Sequence, residues 1–456
     1  MEPSKAQSLR PISSEQRIAS LDVARGCALL GILMVNVQLL CQPMAWLWNG
    51  GGSNEGPVGV AAYYATRLLF ESKSYPLFSL LFGMGLMLMR QRAIAAGRSF
   101  VRPYLRRLSM LLVMGVLHAL LLYYADVLVI YAIIGFFTMW FMGRRSKVLL
   151  ALALSLLTLA VLFSAFSGFM GMRYYASKDA DPLAGEPAQT ALVQPADQGM
   201  QPEDEDIRPA VEDIGFDAFF ERIQQGEIPE NGPMSPQWQS AAKDAFQNGP
   251  LSHAILMRCL EWIVEQMNWT LGAGAVLRIA GMFLLGAWLM KVDALGVGAA
   301  RWMRRLILIG LLVGLPCSFA SVILSAAATE HSALWFLGYF LMTPAGPCAA
   351  LGYMGLSMWL ARRCAAGWFT RSIASTGRMA LTNYIMQSLL VCVIVQHWGF
   401  AMYGQVSQAQ MLVIAVSIFA FQLVASPLWL SRFTMGPLEW LWRWWTYLRR
   451  PAFLNR

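Results

Sequence analysis

A histidine and an aspartate lie eight residues apart in the apolar stretch GVLHALLLYYAD, residues 115–126. Histidine exchanges a proton readily near neutral pH, so His118 could act as a general base or as a proton carrier. An ionisable side chain in an apolar span costs free energy to bury and therefore suggests a functional site. The alternative is a histidine that only satisfies a neighbouring carbonyl or side chain, and the residues alone leave both interpretations open.

The spacing of His118 and Asp126 argues against a direct pair. On one straight helix both side chains project from about the same face, but they lie about 12 Å apart along the axis, at about 1.5 Å per residue. That separation is too long for a hydrogen bond. We therefore expect Asp126 to line the outer mouth of a cavity or to pair with another span.

Two amide side chains are predicted at the same depth as the histidine. Counted from the basic ends of their spans, Asn36, His118 and Gln387 lie about 15, 16 and 14 Å deep, at about 1.5 Å per residue. Polar groups at that depth should face the interior of a helix bundle rather than lipid. The sequence thus predicts that His118 faces Asn36 and Gln387.

The composition is that of an integral membrane protein. Of 456 residues, 57% are hydrophobic and 13% are charged, whereas about 25% are charged in a typical soluble domain. The net charge of +9 is spread over short clusters between apolar runs, which favours membrane orientation over a nucleic-acid partner. The seven cysteines include no C-x-x-C pair, so we expect buried thiols and no metal site.

Apolar runs predict an all-α bundle of about ten transmembrane helices with membrane lipids as its surroundings. The predicted spans are 26–48, 75–89, 108–125, 127–142 and 148–170 in an N-terminal membrane region (residues 26–170), and 271–290, 306–328, 334–361, 379–398 and 411–430 in a C-terminal one (residues 266–432). Residues 1–25 form a polar tail. Residues 433–456 are rich in Trp and Arg, which is typical of a helix lying on the membrane surface.

An acidic insertion separates the two membrane regions. Residues 171–265 contain 17 of the 26 acidic residues. The composition of the early part is typical of a disordered segment, whereas residues 211–225 and 240–247 could form short amphipathic helices. We interpret this region as an extracytoplasmic insertion rather than a catalytic domain.

The distribution of positive charge predicts the orientation. If the N-terminus is cytoplasmic, alternate loops and both tails on that side hold 26 of the 35 Lys and Arg residues. The positive-inside rule then places both termini in the cytoplasm, with the chain crossing the cytoplasmic (inner) membrane many times.

Three further features each have a structural and a functional interpretation. Asp22 and Arg25 could form an ion pair at a helix end or line a cytoplasmic entrance, and the ion pair is favoured. The arginine-rich loop 90–107 could bind a phosphate group, although topology also explains it. Gly83 and Gly85 favour close helix packing rather than nucleotide binding.

Several motifs together resemble the YeiB-like family of bacterial multispan membrane proteins. The matching residues are 21–26 with Ala28, Gly31, Ile32 and Asn36; 79–85; His118, Asp126 and Tyr131; 376–384 with Gln387 and Ser388; and 436–443. More distantly, the chain resembles transmembrane acyltransferases that modify sugars and cell-surface glycans, including the lysosomal heparan-sulfate glucosaminide acetyltransferase.

That more distant resemblance implies an acyl-CoA on the cytoplasmic side, an extracytoplasmic glycan or small-molecule acceptor, and an intramembrane histidine. We expect His118 to be the base or acyl carrier and Asp126 and Asn36 to be the other catalytic residues. The donor is expected to bind near the arginine-rich face. The expected substrate-binding residues are Gln387, Asn383, Tyr384, Asp22 and Arg25, and the expected donor-binding residues are Arg102, Arg106 and Arg378.

Two other classes of function stay open at this stage. A proton-coupled transporter or flippase could use the same central polar residues, with Pro316, Pro344 and Pro347 as helix breaks. A structural or regulatory membrane protein would have a dry, filled centre. A homo-oligomer is compatible with each class.

Overall fold

The computed structural model describes residues 18–43, 55–179, 214–229, 232–267, 274–296, 298–328 and 332–455. Across these ranges the chain is helical, and the only β contact among them is a single bridge between Phe433 and Leu454. The predicted all-α class is confirmed. In the early part of the insertion, which is predicted to be disordered, residues 171–179 are helical, and residues 180–213 lie outside the described residues.

The first half of the chain contributes nine helices to the described ranges. They are α1 (Ala19–Cys41), α2 (Pro57–Leu69), α3 (Ser74–Ala95), α4 (Val101–Leu121), α5 (Leu128–Thr138), α6 (Ser146–Asp179), α7 (Phe216–Gln224), α8 (Pro236–Gln247) and α9 (Leu251–Met267). Helices α7 and α8 agree with the two amphipathic helices predicted within the insertion.

The second half contributes eight more helices within the described ranges. They are α10 (Ala275–Lys291), α11 (Ala299–Ile309), α12 (Leu315–Ala327), α13 (Ala333–Arg363), α14 (Trp368–Arg378), α15 (Ala380–Val395), α16 (Gln408–Arg432) and α17 (Pro437–Tyr447). A short π-helical segment, Gly310–Gly314, joins α11 to α12.

Seven of the described helical segments are long and apolar enough to cross a membrane, and the bent pair α14–α15 would make an eighth. This identifies a multispan membrane protein. Two of the ten predicted spans correspond to shorter helices. One is α5 with its 3-10 extension, which covers Leu128–Phe141, and the other is α10, which has 17 residues. The axis turns by 87° between α14 and α15.

Glycines bring α3 and α10 into close contact. A Cβ atom on Gly83 would lie 1.9 Å from the carbonyl oxygen of Phe283, and one on Gly286 would lie 2.0 Å from that of Leu80. Each helix therefore presents a glycine to the backbone of the other, as small residues do at membrane helix interfaces. The packing interpretation is confirmed for Gly83. A Cβ atom on Gly85, in contrast, would meet only the guanidinium of Arg25, at 4.0 Å.

The later part of the insertion belongs to the core of the bundle. Phe219, Trp238 and Met257 are buried in one hydrophobic cluster with Tyr123 and Val391. Helices α7 to α9 therefore do more than cover a surface, since they pack around the segment that carries the histidine.

Candidate active site

The histidine lies near the end of α4, where the chain reverses. The amides of Leu122 and Tyr123 both donate to the carbonyl oxygen of His118, each at 2.9 Å, and the helix ends at Leu121. Residues 122–127 then turn into α5, and Asp126 Oδ2 accepts a hydrogen bond from the amide of Val129 at 3.1 Å. This is the contact with which an aspartate caps a helix start.

A glycine leaves room for that reversal. A Cβ atom on Gly115 would lie 2.8 Å from the amide nitrogen of Val129 and 3.0 Å from Asp126 Oδ2. Gly115 is three residues before His118 and therefore lies on the same face of α4. The turn can fold back against this face because no side chain occupies it.

The reversal places Asp126, His118 and Ser388 in a hydrogen-bonded row, and these are residue types that often take part in catalysis. His118 Nδ1 lies 2.8 Å from Asp126 Oδ1, and His118 Nε2 lies 2.9 Å from the hydroxyl oxygen of Ser388 on α15. All three residues are buried. Each nitrogen of the ring therefore has one partner, an acid on one side and a hydroxyl on the other.

The expected separation of about 12 Å between His118 and Asp126 is therefore wrong. It assumed one straight helix, whereas α4 ends three residues after the histidine. Asp126 does not line an outer mouth either, because it is fully buried and hydrogen-bonded to the histidine.

Tyrosines enclose the three residues. Tyr384, one turn before Ser388 on α15, donates from its hydroxyl to Asp126 Oδ1 at 3.3 Å, and its ring centre lies 4.9 Å from that of His118. Tyr123 packs edge-on against the imidazole at 6.0 Å between ring centres. Of the expected substrate-binding residues, Tyr384 is thus the one that meets the histidine site directly.

The two amides expected to face the histidine, Asn36 and Gln387, have other partners, and so does Asn383, an expected substrate-binding residue. Asn36 Oδ1 accepts from the hydroxyl of Tyr123 at 3.1 Å, so it reaches the histidine only through that ring. Gln387 Nε2 donates to Gln422 Oε1 at 2.8 Å, and Asn383 Nδ2 donates to the carbonyl of Thr376 at 3.0 Å. The prediction that His118 directly faces Asn36 and Gln387 is wrong.

The charged residues predicted for binding are divided between two locations. Asp22 and Arg25 form the expected ion pair at 2.8 Å, and with Arg378 they line a cavity at the start of α1. Arg106 donates to the carbonyl of Thr446 at 3.3 Å, and Arg102 is exposed. Neither Arg102 nor Arg106 is among the residues that line the cavity.

Ser388 is the site residue that the sequence analysis did not select. It follows Tyr384 by four residues, so the two share a helix face. Gln387 is one residue earlier and therefore points about 100° away around the helix axis. That spacing was visible in the sequence. The same is true of Asp126, which directly precedes an apolar run as a capping residue does.

Within the described part of the chain, no group of three or more His, Cys, Asp or Glu side chains is close enough to hold an ion. The candidate active site presents a hydroxyl, an imidazole and a carboxylate. In this order they can activate the hydroxyl as a nucleophile.

Sequence relatives cover nearly the whole chain. A protein of Bacillus subtilis called uncharacterized protein YxaH is 30% identical over 448 residues, covering 97% of both chains. Residues 268–449 also match the family described as protein of unknown function DUF418. The chain belongs to this YeiB-like DUF418 family.

Two further relatives of this DUF418 protein extend over similar lengths. Uncharacterized protein YeiB of Escherichia coli is 26% identical, covering 94% of this chain and 96% of the relative. An uncharacterized 39.9 kDa protein of Bacillus acidopullulyticus is 24% identical, covering 98% and 99%. No solved structure matches the chain.

The DUF418 match includes only one side of the candidate active site. Ser388 and Tyr384 lie within residues 268–449, whereas His118 and Asp126 lie before them. The site therefore exists only when the two membrane regions of the chain pack together.

Proposed function

We propose that this DUF418 protein is a membrane acyltransferase that uses Ser388 as its nucleophile. The observation that carries the proposal is the line from Ser388 through His118 to Asp126, with contacts of 2.9 and 2.8 Å. A buried hydroxyl, imidazole and carboxylate in this order form the arrangement that activates serine in acyl-transfer enzymes.

The first half of the reaction would load the acyl group onto the protein. Ser388 Oγ attacks the carbonyl carbon of an acyl-CoA thioester while His118 Nε2 accepts the serine proton. The carbon–sulfur bond then breaks, and the departing thiolate takes that proton from the imidazolium. The products are coenzyme A and an ester between the acyl group and Ser388.

The second half would deliver the acyl group to an acceptor, which we propose is a hydroxyl or amine of a sugar, glycan or small molecule. His118 Nε2 accepts the acceptor's proton as its oxygen or nitrogen attacks the ester carbonyl. The bond to Ser388 Oγ breaks, and the serine recovers its proton from His118. Asp126 holds the ring through Nδ1 and stabilises the imidazolium formed in each half.

This scheme changes the roles first expected of the neighbouring residues. In the proposed reaction His118 acts as the base and Ser388 carries the acyl group, because His118 Nε2 lies 2.9 Å from the Ser388 hydroxyl. Gln387 receives no role in stabilising the thioester oxygen, because its amide nitrogen donates to Gln422. Tyr384 donates to Asp126 Oδ1, the oxygen that also faces His118, whereas the amide of Val129 donates to Oδ2.

The three prolines first suggested as helix breaks for the transporter alternative do not break their helices. Pro344 and Pro347 lie inside the continuous helix α13, and Pro316 lies in the first turn of α12. The sharp break is instead at Met379, between α14 and α15.

The proposal can be tested by the rate at which purified protein releases coenzyme A from an acyl-CoA. Ser388, His118 and Asp126 together form a hydrogen-bonded relay. Ser388→Ala and His118→Ala should each lower this rate by at least about a hundredfold, because each removes a member of the relay. The matched control is Ser318→Ala. This serine is also buried in an apolar helix, but its hydroxyl donates only to the carbonyl of Gly314 on the same turn.

A folded Ser388→Ala variant that releases coenzyme A at the wild-type rate would overturn the nucleophile assignment. Solute uptake by wild-type proteoliposomes that needs His118 but no acyl-CoA would instead support transport. Folding of each variant is checked by its elution as a monodisperse peak and by its thermal unfolding.

A further inference from the structure

Helix α17 is attached to the helix that carries the histidine of the relay. The indole nitrogen of Trp442 donates to the carbonyl oxygen of Arg107 at 2.8 Å, and that of Trp445 donates to the hydroxyl oxygen of Ser109 at 3.1 Å. Both acceptors lie in the first half of α4, the helix that leads to His118. One side of α17 therefore contacts the part of the relay that comes from the N-terminal membrane region.

The other side of α17 is attached to the helix that carries the serine. Glu439 accepts hydrogen bonds from the amides of Leu381 and Thr382, and the Thr382 hydroxyl oxygen accepts one from the amide of Leu438. Leu381 and Thr382 lie in the first turn of α15, and Ser388 follows on the same helix. Helix α17 thus connects the start of α4 to the start of α15.

The contacts with α4 place α17 at the level where the lipid-facing part of α4 begins. Up to Arg107 the first two turns of α4 are rich in arginine. After Ser109 the exposed side chains of α4 are apolar, and they are Leu112, Val113, Leu117 and Leu121. Tryptophan is enriched at this boundary between headgroups and hydrocarbon. The contacts of Trp442 and Trp445 on either side of Leu108 therefore place α17 at interfacial depth.

The outer face of α17 and the residues just after it combine aromatic and basic side chains. Trp444, Trp445 and Leu448 are 46, 48 and 60% exposed. The two residues that follow, Arg449 and Arg450, are exposed as well. The guanidinium of Arg450 lies 5.7 Å from the ring centre of Trp440, so the basic residues turn back beside the aromatic face.

Anionic phospholipid is the partner that complements both features of this face. Glu439 is the only acidic residue in residues 433–456, and it is buried against the start of α15. Arginine near an anionic leaflet is attracted to the lipid phosphates, and tryptophan enters the layer beneath them. A soluble anion would match the arginines but would leave Trp444 and Leu448 in water.

We propose that α17 docks on anionic phospholipid headgroups of the adjoining leaflet and thereby holds the histidine and serine helices of the relay together. Trp444, Trp445 and Leu448 enter the interface, and Arg449 and Arg450 bind the lipid phosphates. The docking does not depend on the proposed function, whereas its effect on acyl transfer rests on it.

The docking is tested by the affinity of the purified full-length protein for phosphatidylglycerol, measured by native mass spectrometry as the lipid is titrated into detergent. The double variant Arg449→Gln, Arg450→Gln should weaken the tightest binding about tenfold or more, because both charges next to the lipid phosphates are removed. The matched control is Arg362→Gln, Arg363→Gln, which removes the same charge from an exposed arginine pair at the end of α13. It should bind phosphatidylglycerol like the wild type.

Two further probes separate a lipid from a free phosphate. Phosphatidylcholine has similar acyl chains but no net charge, and it should bind at least about tenfold more weakly than phosphatidylglycerol. Glycerol 3-phosphate has the phosphate without the chains and should not displace the lipid. Equal affinity for the two lipids, full displacement by glycerol 3-phosphate, or equal losses in the two double variants would overturn the proposal.

The link from α17 to the serine helix is tested by amide hydrogen exchange in nanodiscs. Peptides covering residues 380–390 should exchange at least about threefold more slowly in phosphatidylglycerol than in phosphatidylcholine, because docking keeps Glu439 on the amides of Leu381 and Thr382. The double variant Arg449→Gln, Arg450→Gln should not show this slowing. Equal exchange of the wild type in both lipids would overturn the link.

The outcome for this surface can be told apart from that for the reaction. Ser388→Ala should bind phosphatidylglycerol like the wild type while releasing no coenzyme A from acyl-CoA. Lipid binding that depends on Arg449 and Arg450, without any acyl transfer, would retain the docking and remove the proposed reaction. Acyl transfer at the same rate in both lipids and in the double variant would retain the reaction and overturn the effect of docking on the relay.

Discussion

At the scale of single residues, the function depends on the direction in which one imidazole is held. Asp126 accepts from His118, Tyr384 and the amide of Val129. A carboxylate with several donors is held in place and acts as the acceptor for Nδ1, which leaves Nε2 as the basic nitrogen next to Ser388. In the proposed reaction, the aspartate thus orients the imidazole and the serine is the nucleophile.

Replacing Asp126 by asparagine should disturb the orientation and tautomer of the His118 ring without weakening coenzyme A binding. The amide can donate to Nδ1 and so favours the wrong tautomer, with the proton on Nε2. We expect acyl-CoA turnover to fall by about a hundredfold to ten-thousandfold, while coenzyme A binds as before. Steady-state turnover together with calorimetry measures both quantities, and a variant with full turnover would show that Asp126 is only a helix cap.

The sequence identified the histidine and aspartate but not their contact. Mid-span placement of His118 follows from hydropathy alone, because an isolated polar residue stands out in an apolar run. The contact required knowing that α4 ends at Leu121, and the apolar residues after the histidine give no stop signal. Ser388 was missed because depth along the helix selected its neighbour Gln387, whereas the face of the helix decides which side chain reaches His118.

At the scale of helices, the relay depends on contacts that hold the two membrane regions together. The glycine contact between α3 and α10 is one of these contacts, and it supports the group of buried residues against which α5 packs. Hydropathy predicts that such helices exist but not which ones touch, so only the local pattern around Gly83 indicated this contact.

Gly83→Ala should destabilise the protein, whereas Gly85→Ala should not. A methyl group on Gly83 would collide with the backbone of Phe283, and overpacking of this kind costs about 1–3 kcal/mol. A methyl group on Gly85 would meet only the guanidinium of Arg25, at an ordinary contact distance of 4.0 Å, and alanine is favoured over glycine in a helix by about 0.5–1 kcal/mol. Thermal unfolding in detergent compares the two variants, and equal melting temperatures would contradict the packing assignment.

Helix α17 is attached to the start of α15 by one buried carboxyl group. Glu439 accepts hydrogen bonds from the amides of Leu381 and Thr382 at 2.7 and 3.1 Å, and from the Thr382 hydroxyl at 2.6 Å. Burial nevertheless raises the pKa of Glu439 above its usual value of 4.5. The folded state therefore favours the protonated carboxyl more than the unfolded state does.

This shift gives a signed prediction for stability against pH. Because the folded-state pKa is raised, the contribution of Glu439 is fully present below about pH 4.5 and is lost as the pH rises through the raised value. The melting temperature of the wild type should fall over that interval by more than that of Glu439→Gln, which does not titrate. Identical pH profiles for the two proteins would contradict the assignment.

At the scale of the whole molecule, the chain is a helical membrane protein whose described part forms one continuous structure around the relay. The N-terminal region supplies His118 and Asp126, the C-terminal region supplies Ser388, and the insertion adds α7 to α9 to the same core. Composition predicted the class and the insertion. Of the ten predicted spans, the described helices support seven by length and composition, or eight with the bent pair α14–α15.

The charge asymmetry leads to a prediction about sidedness. If the arginine-rich end faces the cytoplasm, inside-out membrane vesicles should release coenzyme A from acyl-CoA added outside. Right-side-out vesicles should do so only after detergent opens them, because acyl-CoA does not cross the bilayer. Equal rates in both kinds of intact vesicle would contradict the proposed orientation of the donor site.

The central claim is that Ser388 carries the acyl group between donor and acceptor. The most direct measurement is mass spectrometry of peptides from purified protein that was mixed with isotope-labelled acyl-CoA and quenched in acid within seconds. We expect the labelled acyl mass on the peptide containing Ser388, its accumulation in the absence of acceptor, and its loss in Ser388→Ala and His118→Ala. Turnover of acyl-CoA with no label on Ser388, or label that persists in the Ser388→Ala variant, would contradict the claim.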